Sequence, residues 1–120
     1  DAVQLILSHV RSGDLTLVVS PAHDIEIRAI QERTEREHLL AMLRQIGRQV
    51  AFDLILAVLV PVYGSQRGLG PADAAHLAFA EETKADFITC DDRLLRQCQR
   101  VRPNVWLGTP VTFCDKENLE

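Results

Sequence analysis

Ala72-Asp73-Ala74-Ala75-His76-Leu77-Ala78 is followed, a few residues later, by Ala85-Asp86-Phe87-Ile88-Thr89-Cys90-Asp91-Asp92-Arg93-Leu94-Leu95. Pro71 opens the first piece as a helix reaching about Lys84, because a proline at the first helical position has no N–H to leave orphaned. Phe87-Ile88-Thr89 is a short β-prone run and predicts a strand. Asp91 then suits the N-cap of a second helix that reaches about Gln99. A helix, a strand and a helix in close succession are the unit of an α/β domain.

The alternation extends outward on both sides. Val3, Ile6, Leu7 and Val10 follow helical spacing. Leu15-Thr16-Leu17-Val18-Val19 is a continuous β-prone run between Ser12-Gly13-Asp14 and Ser20-Pro21, as expected of a strand buried on both faces in a parallel sheet. Ser20-Pro21 starts a helix that runs to about Arg33. Leu39, Leu40, Met42, Leu43 and Ile46 form the apolar set of another, over residues 35–46, with Gly47 as its stop. Residues 53–63 are apolar all round and read as a buried helix interrupted by Pro61, or residues 50–55 as partly strand. Periodicity leaves both open. Residues 64–70 are a turn-rich loop. Val105-Trp106-Leu107 and Val111-Thr112-Phe113 are β-prone pieces around Gly108-Thr109-Pro110, and the chain ends in a polar tail from Asp115. Strands alternating with helices give an α/β domain with a parallel sheet, whose ligands lie beyond the carboxyl ends of the strands.

Composition narrows the function classes. The 120 residues fit one domain, large enough to bury a core without disulfide or metal staples. Asp plus Glu outnumber Lys plus Arg by 17 to 13, which excludes a wholly basic, phosphate-coating surface but not a local basic face or a bound cation. The longest apolar run, residues 54–62, is far short of the roughly 20 residues of a membrane span. No secretory leader is visible. Cys90, Cys98 and Cys114 are an odd number without a Cys-x-x-Cys, and read as reduced thiols of a cytoplasmic protein.

Three acidic positions stand where such a sheet would place its ligands. Glu26 falls in the second turn of the helix after Ser20, Asp73 in the first turn of the helix opened by Pro71, and Asp91 and Asp92 just after the strand at 87–89. Mg²⁺ and Mn²⁺ take oxygen ligands, mainly carboxylates and water. A cluster drawn from separate elements could hold such an ion and activate water against a phosphodiester. Each residue also has a bland role. Asp73 complements a helix dipole, Asp91 caps, and Glu26 sits on a solvated face.

The two quoted stretches resemble the C-terminal half of a PIN domain, most closely the VapC-like toxins of bacterial toxin–antitoxin pairs. Their pattern is an Asp-Ala-x-His-Leu-Ala helix, a strand ending Thr-x-Asp, and a following Leu-Leu helix. Val18-Val19-Ser20 with Glu26 resembles the family's second strand and the helix carrying its Glu. Residues 105–113 resemble its closing strand, Pro, Val, x, Phe segment. The resemblance implies a three-layer α/β/α fold with a mostly parallel sheet over residues 1–114, with 115–120 as tail. It implies a Mg²⁺- or Mn²⁺-dependent ribonuclease in which Glu26, Asp73 and Asp91 are the catalytic and metal-binding acids. Thr89 supports them, and Asp92 ranks below Asp91. Asp24 is the alternative on the first of these helices. An RNA substrate, a cognate antitoxin and a homodimer are implied as partners, and no membrane.

One part of the family pattern has no counterpart. The family begins with an apolar strand ending in Asp, the first metal ligand, whereas residues 2–10 read as the helix that follows it. The expectation is that this strand and its Asp lie upstream in the full gene product, and that without them activity and stability suffer.

Arg93, Arg96 and Arg100 share one helix face, which Arg102 extends. They are either an RNA-phosphate patch beside the acids or a solvated face. His76, one turn from Asp73, either touches the site or packs in the core. His9, His23 and His38 have no ligand spacing with one another. Trp106 and Tyr63 are too few for a base-stacking platform, and Gly64, Gly68 and Gly70 fit no phosphate loop. Two competing readings remain. One is a catalytically silent PIN-like binding module. The other is a receiver-like signalling domain, which would need a lysine on a late strand, whereas Lys84 and Lys116 fall at a helix end and in the tail.

Overall fold

The computed structural model describes residues 1–49 and 68–120. Helix α1 (Ala2–Arg11) is capped by Asp1, whose carboxylate accepts the Gln4 N–H at 2.8 Å. The chain turns at Gly13, whose φ of +90° suits glycine, into strand β1 (Leu17–Val19). Helix α2 (Pro21–Arg28) starts at Ser20-Pro21 as the sequence predicts and stops earlier than Arg33. Helix α3 (Arg33–Ile46) is capped by the Glu32 carboxylate, and Gly47 ends it in an extended conformation that leads straight into strand β2 (Gly47–Gln49). A Cβ at Gly47 would overlap the Val19 side chain and the Leu43 carbonyl, so only glycine lets the two strands meet there. The alternatives for residues 50–63 lie outside the described residues.

Helix α4 (Pro71–Thr83) ends on Lys84 in the left-handed region, strand β3 (Phe87–Ile88) follows, and helix α5 (Asp92–Val101) is capped by Asp91. Strand β4 (Leu107–Gly108) leads into helix α6 (Pro110–Glu117). This last helix corrects the sequence reading. Val111-Thr112-Phe113 is not a β-prone strand piece, and residues 115–117 belong to the helix and not to a frayed tail. Thr109 caps it and Pro110 opens it, the same device as at Ser20-Pro21.

Among the described residues all strand pairing is parallel, as expected of this α/β fold. Leu17, Val18 and Val19 pair with Gly47, Arg48 and Gln49, and Phe87 and Ile88 pair with Leu107 and Gly108. Leu69, Ala74, Leu77, Leu94 and Cys98 form a buried cluster between α4 and α5, with Phe87, Val101, Val105 and Leu107 packed on it.

Among the described residues the strands form two separate pairs, β1 with β2 and β3 with β4. Between the pairs lies a cleft of about 480 Å³, lined by Leu17 and Val18 from one pair and by Phe87 and Ile88 from the other, with Val10 and Phe79 beside them. It is a space that must take up either solvent or polypeptide.

Candidate active site

Glu26 lies on α2 and Asp91 caps α5, and both helices pack on α4, which carries Asp73. Asp73 is half-buried in its first turn, and Ala74, next to it, is fully buried against Leu94 in the first turn of α5. Asp73 is close enough to Cys98 for its charge to act on the thiol. Burial first, and then that charge, push Cys98 up to about 11. A thiol so shifted is not a nucleophile at neutral pH. One turn along α4, His76 Nε2 donates to Glu26 Oε1 on α2 at 2.8 Å. The acids of α2, α4 and α5 are thus tied to one helix: Glu26 through His76, Asp73 directly, and Asp91 through the packing of Leu94.

Asp91 follows β3. Its Oδ1 accepts the N–H groups of Arg93 and Leu94 at 3.0 and 3.1 Å, and its own N–H donates to Thr89 Oγ1 at 3.0 Å. The cap orients the carboxylate, and Thr89 holds its backbone. Asp92 is exposed in the first turn of α5. Asp24 is occupied elsewhere, accepting from Arg28 Nε at 2.8 Å.

The donor chemistry suits a hard cation. Glu26 Oε2, Asp91 Oδ2 and both oxygens of Asp73 accept no hydrogen bond among the described residues, which leaves an oxygen free on each acid. The number falls short. Among the described residues no three His, Cys, Asp or Glu side chains are grouped so as to hold a metal ion.

Two histidines that spacing did not assign lie beside this site. Ser20, buried at the end of β1, directs its N–H onto His23 Nδ1 at 3.1 Å, with the Ser20 hydroxyl 3.2 Å from the same nitrogen. The His23 ring then packs on His76, centroids 4.5 Å apart and planes 56° apart. Ser20 and His23 form a capping box, with histidine where glutamate or glutamine is usual. The Ser-x-x-His spacing carried that signal. His76 to Glu26 spans 50 residues and had none.

Burial, and next the neighbouring His76 charge, push His23 down to about 4, with Glu26 opposing. The unfolded imidazole titrates near 6.5, so between these values the unfolded chain binds a proton that the folded chain refuses. Stability is unaffected by this group above pH 6.5 and falls as the pH drops toward 4, by about 1.4 kcal/mol per pH unit. His23→Gln, which keeps an acceptor for Ser20, is expected to remove that part of the acid slope. Urea midpoints of both proteins at pH 7, 5.5 and 4.5 check it.

Arg93, Arg96 and Arg100 are all exposed on α5, and none has a hydrogen-bond or ion-pair partner among the described residues. The three thiols are free, with Cys98 and Cys114 buried and Cys90 exposed.

The family model for the PIN domain matches residues 2–99. The chain belongs to the PIN domain family. The matched span takes in Glu26, Asp73 and Asp91 and strands β1, β2 and β3. PIN domains have a nuclease-type fold, are generally nucleases that act on RNA or DNA, and typically depend on a divalent metal. Membership sets the receiver-like reading aside, and the lysines agree. Lys84 ends α4, and Lys116 is held by Asp86 and Glu117 at 3.0 and 2.7 Å, neither on a strand. No curated protein and no solved structure matches the chain. Among the described residues no helix is long and apolar enough to cross a membrane.

Proposed function

We propose that this PIN domain is a Mg²⁺- or Mn²⁺-dependent ribonuclease, the VapC-like toxin of a bacterial toxin–antitoxin pair, working in the cytoplasm. The observation that carries this is the family match over a span whose three acids are tied to α4, each with an oxygen free. Glu26, Asp73 and Asp91 would hold the cation, with a fourth carboxylate where the family pattern has its first-strand Asp. A bound divalent ion supplies an activated water and offsets the charge that develops on the phosphate. The chain's own residues supply the rest. Thr89 and the α5 cap fix Asp91, and the buried Ala74 and Leu94 hold α4 against α5. Arg93, Arg96 and Arg100 would grip RNA phosphates beyond the acids. A small antitoxin that blocks the site and a homodimer complete the proposal.

The test is cleavage of RNA and DNA oligonucleotides of one sequence by the upstream-extended chain, in Mg²⁺, in Mn²⁺ and in chelator. RNA cleavage abolished by chelator supports the reading, and DNA cleavage alone overturns the ribonuclease assignment. Changing Arg93, Arg96 and Arg100 together to Gln should lower the slope of log affinity against log salt by roughly 2 for single-stranded RNA. A solvated face would leave the slope unchanged. The second reading is a silent binding module, since among the described residues no three His, Cys, Asp or Glu side chains are grouped to hold a metal ion. Antitoxin binding without cleavage at either length would establish it.

A further inference from the structure

We infer that His76 is the positioning residue for Glu26: it fixes which carboxylate oxygen faces the metal site. The inference rests on the reading of Glu26 as a ligand and adds a residue to it. Glu26 stands on a helix of only eight residues, its side chain 52% exposed, and its one hydrogen bond among the described residues is the 2.8 Å contact to His76 Nε2. An exposed glutamate with three rotatable bonds does not hold one geometry unaided. The His76 side chain is only 11% exposed, so the donor is the fixed member of the pair and the acceptor the mobile one.

The donor is itself held from outside the site. His76 packs against His23, and His23 Nδ1 is held by the backbone N–H of Ser20, at the end of β1 and 2% exposed. Order passes from the sheet through two imidazoles to one carboxylate oxygen. Because His76 Nε2 takes Oε1, Oε2 is left without a hydrogen bond among the described residues, and the contact ties the carboxylate to the helix that carries Asp73 one turn away. Ligating carboxylates commonly rely on such outer hydrogen bonds, whose loss typically costs 10–100-fold in metal affinity.

The experiment uses His76→Ala and His76→Gln, with Glu26→Gln as reference, in the chain and in its upstream-extended form. Gln keeps an N–H donor near the position of Nε2, and Ala removes it. In metal-free protein, three-bond couplings of the Glu26 side chain should report one rotamer in wild type and in His76→Gln, and averaging in His76→Ala. Mn²⁺ titration by calorimetry should show weakening of about 10-fold or more in His76→Ala and near-recovery in His76→Gln. In a Glu26→Gln background the His76→Ala loss should vanish. Unchanged Glu26 couplings in His76→Ala overturn the inference whether or not metal binds. So does a His76→Gln protein, folded by circular dichroism, that is as impaired as His76→Ala. If the couplings respond but Glu26→Gln leaves Mn²⁺ affinity intact, His76 orders Glu26 and the ligand reading is the part that fails.

Discussion

An N-terminal extension carrying an apolar strand that ends in Asp is expected to raise the melting temperature of the 120-residue chain by about 10 °C. The cleft between the strand pairs motivates this. Leu17 and Val18 line one side and Phe87 and Ile88 the other, and among the described residues neither β1 nor β3 has a ladder partner beyond β2 and β4. Asp1 and Ala2 lie with Cys90 and Thr109, just past the carboxyl ends of β3 and β4. A strand entering from upstream and parallel to its neighbours would therefore finish where α1 begins. Some five residues pairing on both edges gain roughly 1 kcal/mol per hydrogen bond and bury apolar side chains, against about 1–2 kcal/mol per residue of ordering. A net gain of ~3 kcal/mol corresponds to roughly 10 °C for a domain of this size. The amides that face the open edges of β1 and β3 should gain hydrogen-exchange protection in the extended protein, Ile88 among them, since Phe87 already donates to the Trp106 carbonyl at 2.9 Å. An extension with a central proline, which cannot complete the ladder, should give neither effect. Equal melting temperatures with and without the intact strand would show that the cleft does not receive it.

The helix starts were legible because their signals are local. Ser20-Pro21 and the Pro71 and Asp91 starts each combine a cap with a residue suited to the first turn, and each opens a helix where expected. The miss at residues 111–113 shows the limit of propensity. Val, Thr and Phe favour strands, yet Thr109-Pro110 carries the same start signal as Ser20-Pro21. Burial of Phe113 and Cys114, with the Cys114 thiol 3.7 Å from the Ala2 carbonyl, fixes the helix against α1. The candidate acids were legible by position in the chain, but what holds them was not. The bond from His76 to Glu26 depends on how α2 packs against α4, which no spacing within either helix encodes. The preference for Glu26 over Asp24 has the same origin. The two differ by half a turn, and in the structure Asp24 faces Arg28 while Glu26 faces His76.

Asp73→Asn in the upstream-extended protein is expected to lower metal-dependent RNA cleavage on the order of 10²-fold or more, since even outer-shell changes cost 10–100-fold. Asn keeps the shape and removes one negative charge from a half-buried position at the start of α4. The change takes away a hard oxygen donor and leaves an amide, a much weaker ligand for Mg²⁺. Its effect on the fold should be small and separable. The Asp73 carboxylate accepts no hydrogen bond among the described residues, so no bond is lost, and only a modest dipole interaction weakens, about 0.3–1 kcal/mol. An internal control lies nearby. Cys98 is held up at about 11 by burial and then by the Asp73 charge, so its thiol pKa should fall in the variant while the melting temperature changes little. A lower thiol pKa with activity lost marks removal of a ligand charge. A lower thiol pKa with metal-dependent activity intact would take Asp73 out of the site and leave it as the helix-dipole partner of α4.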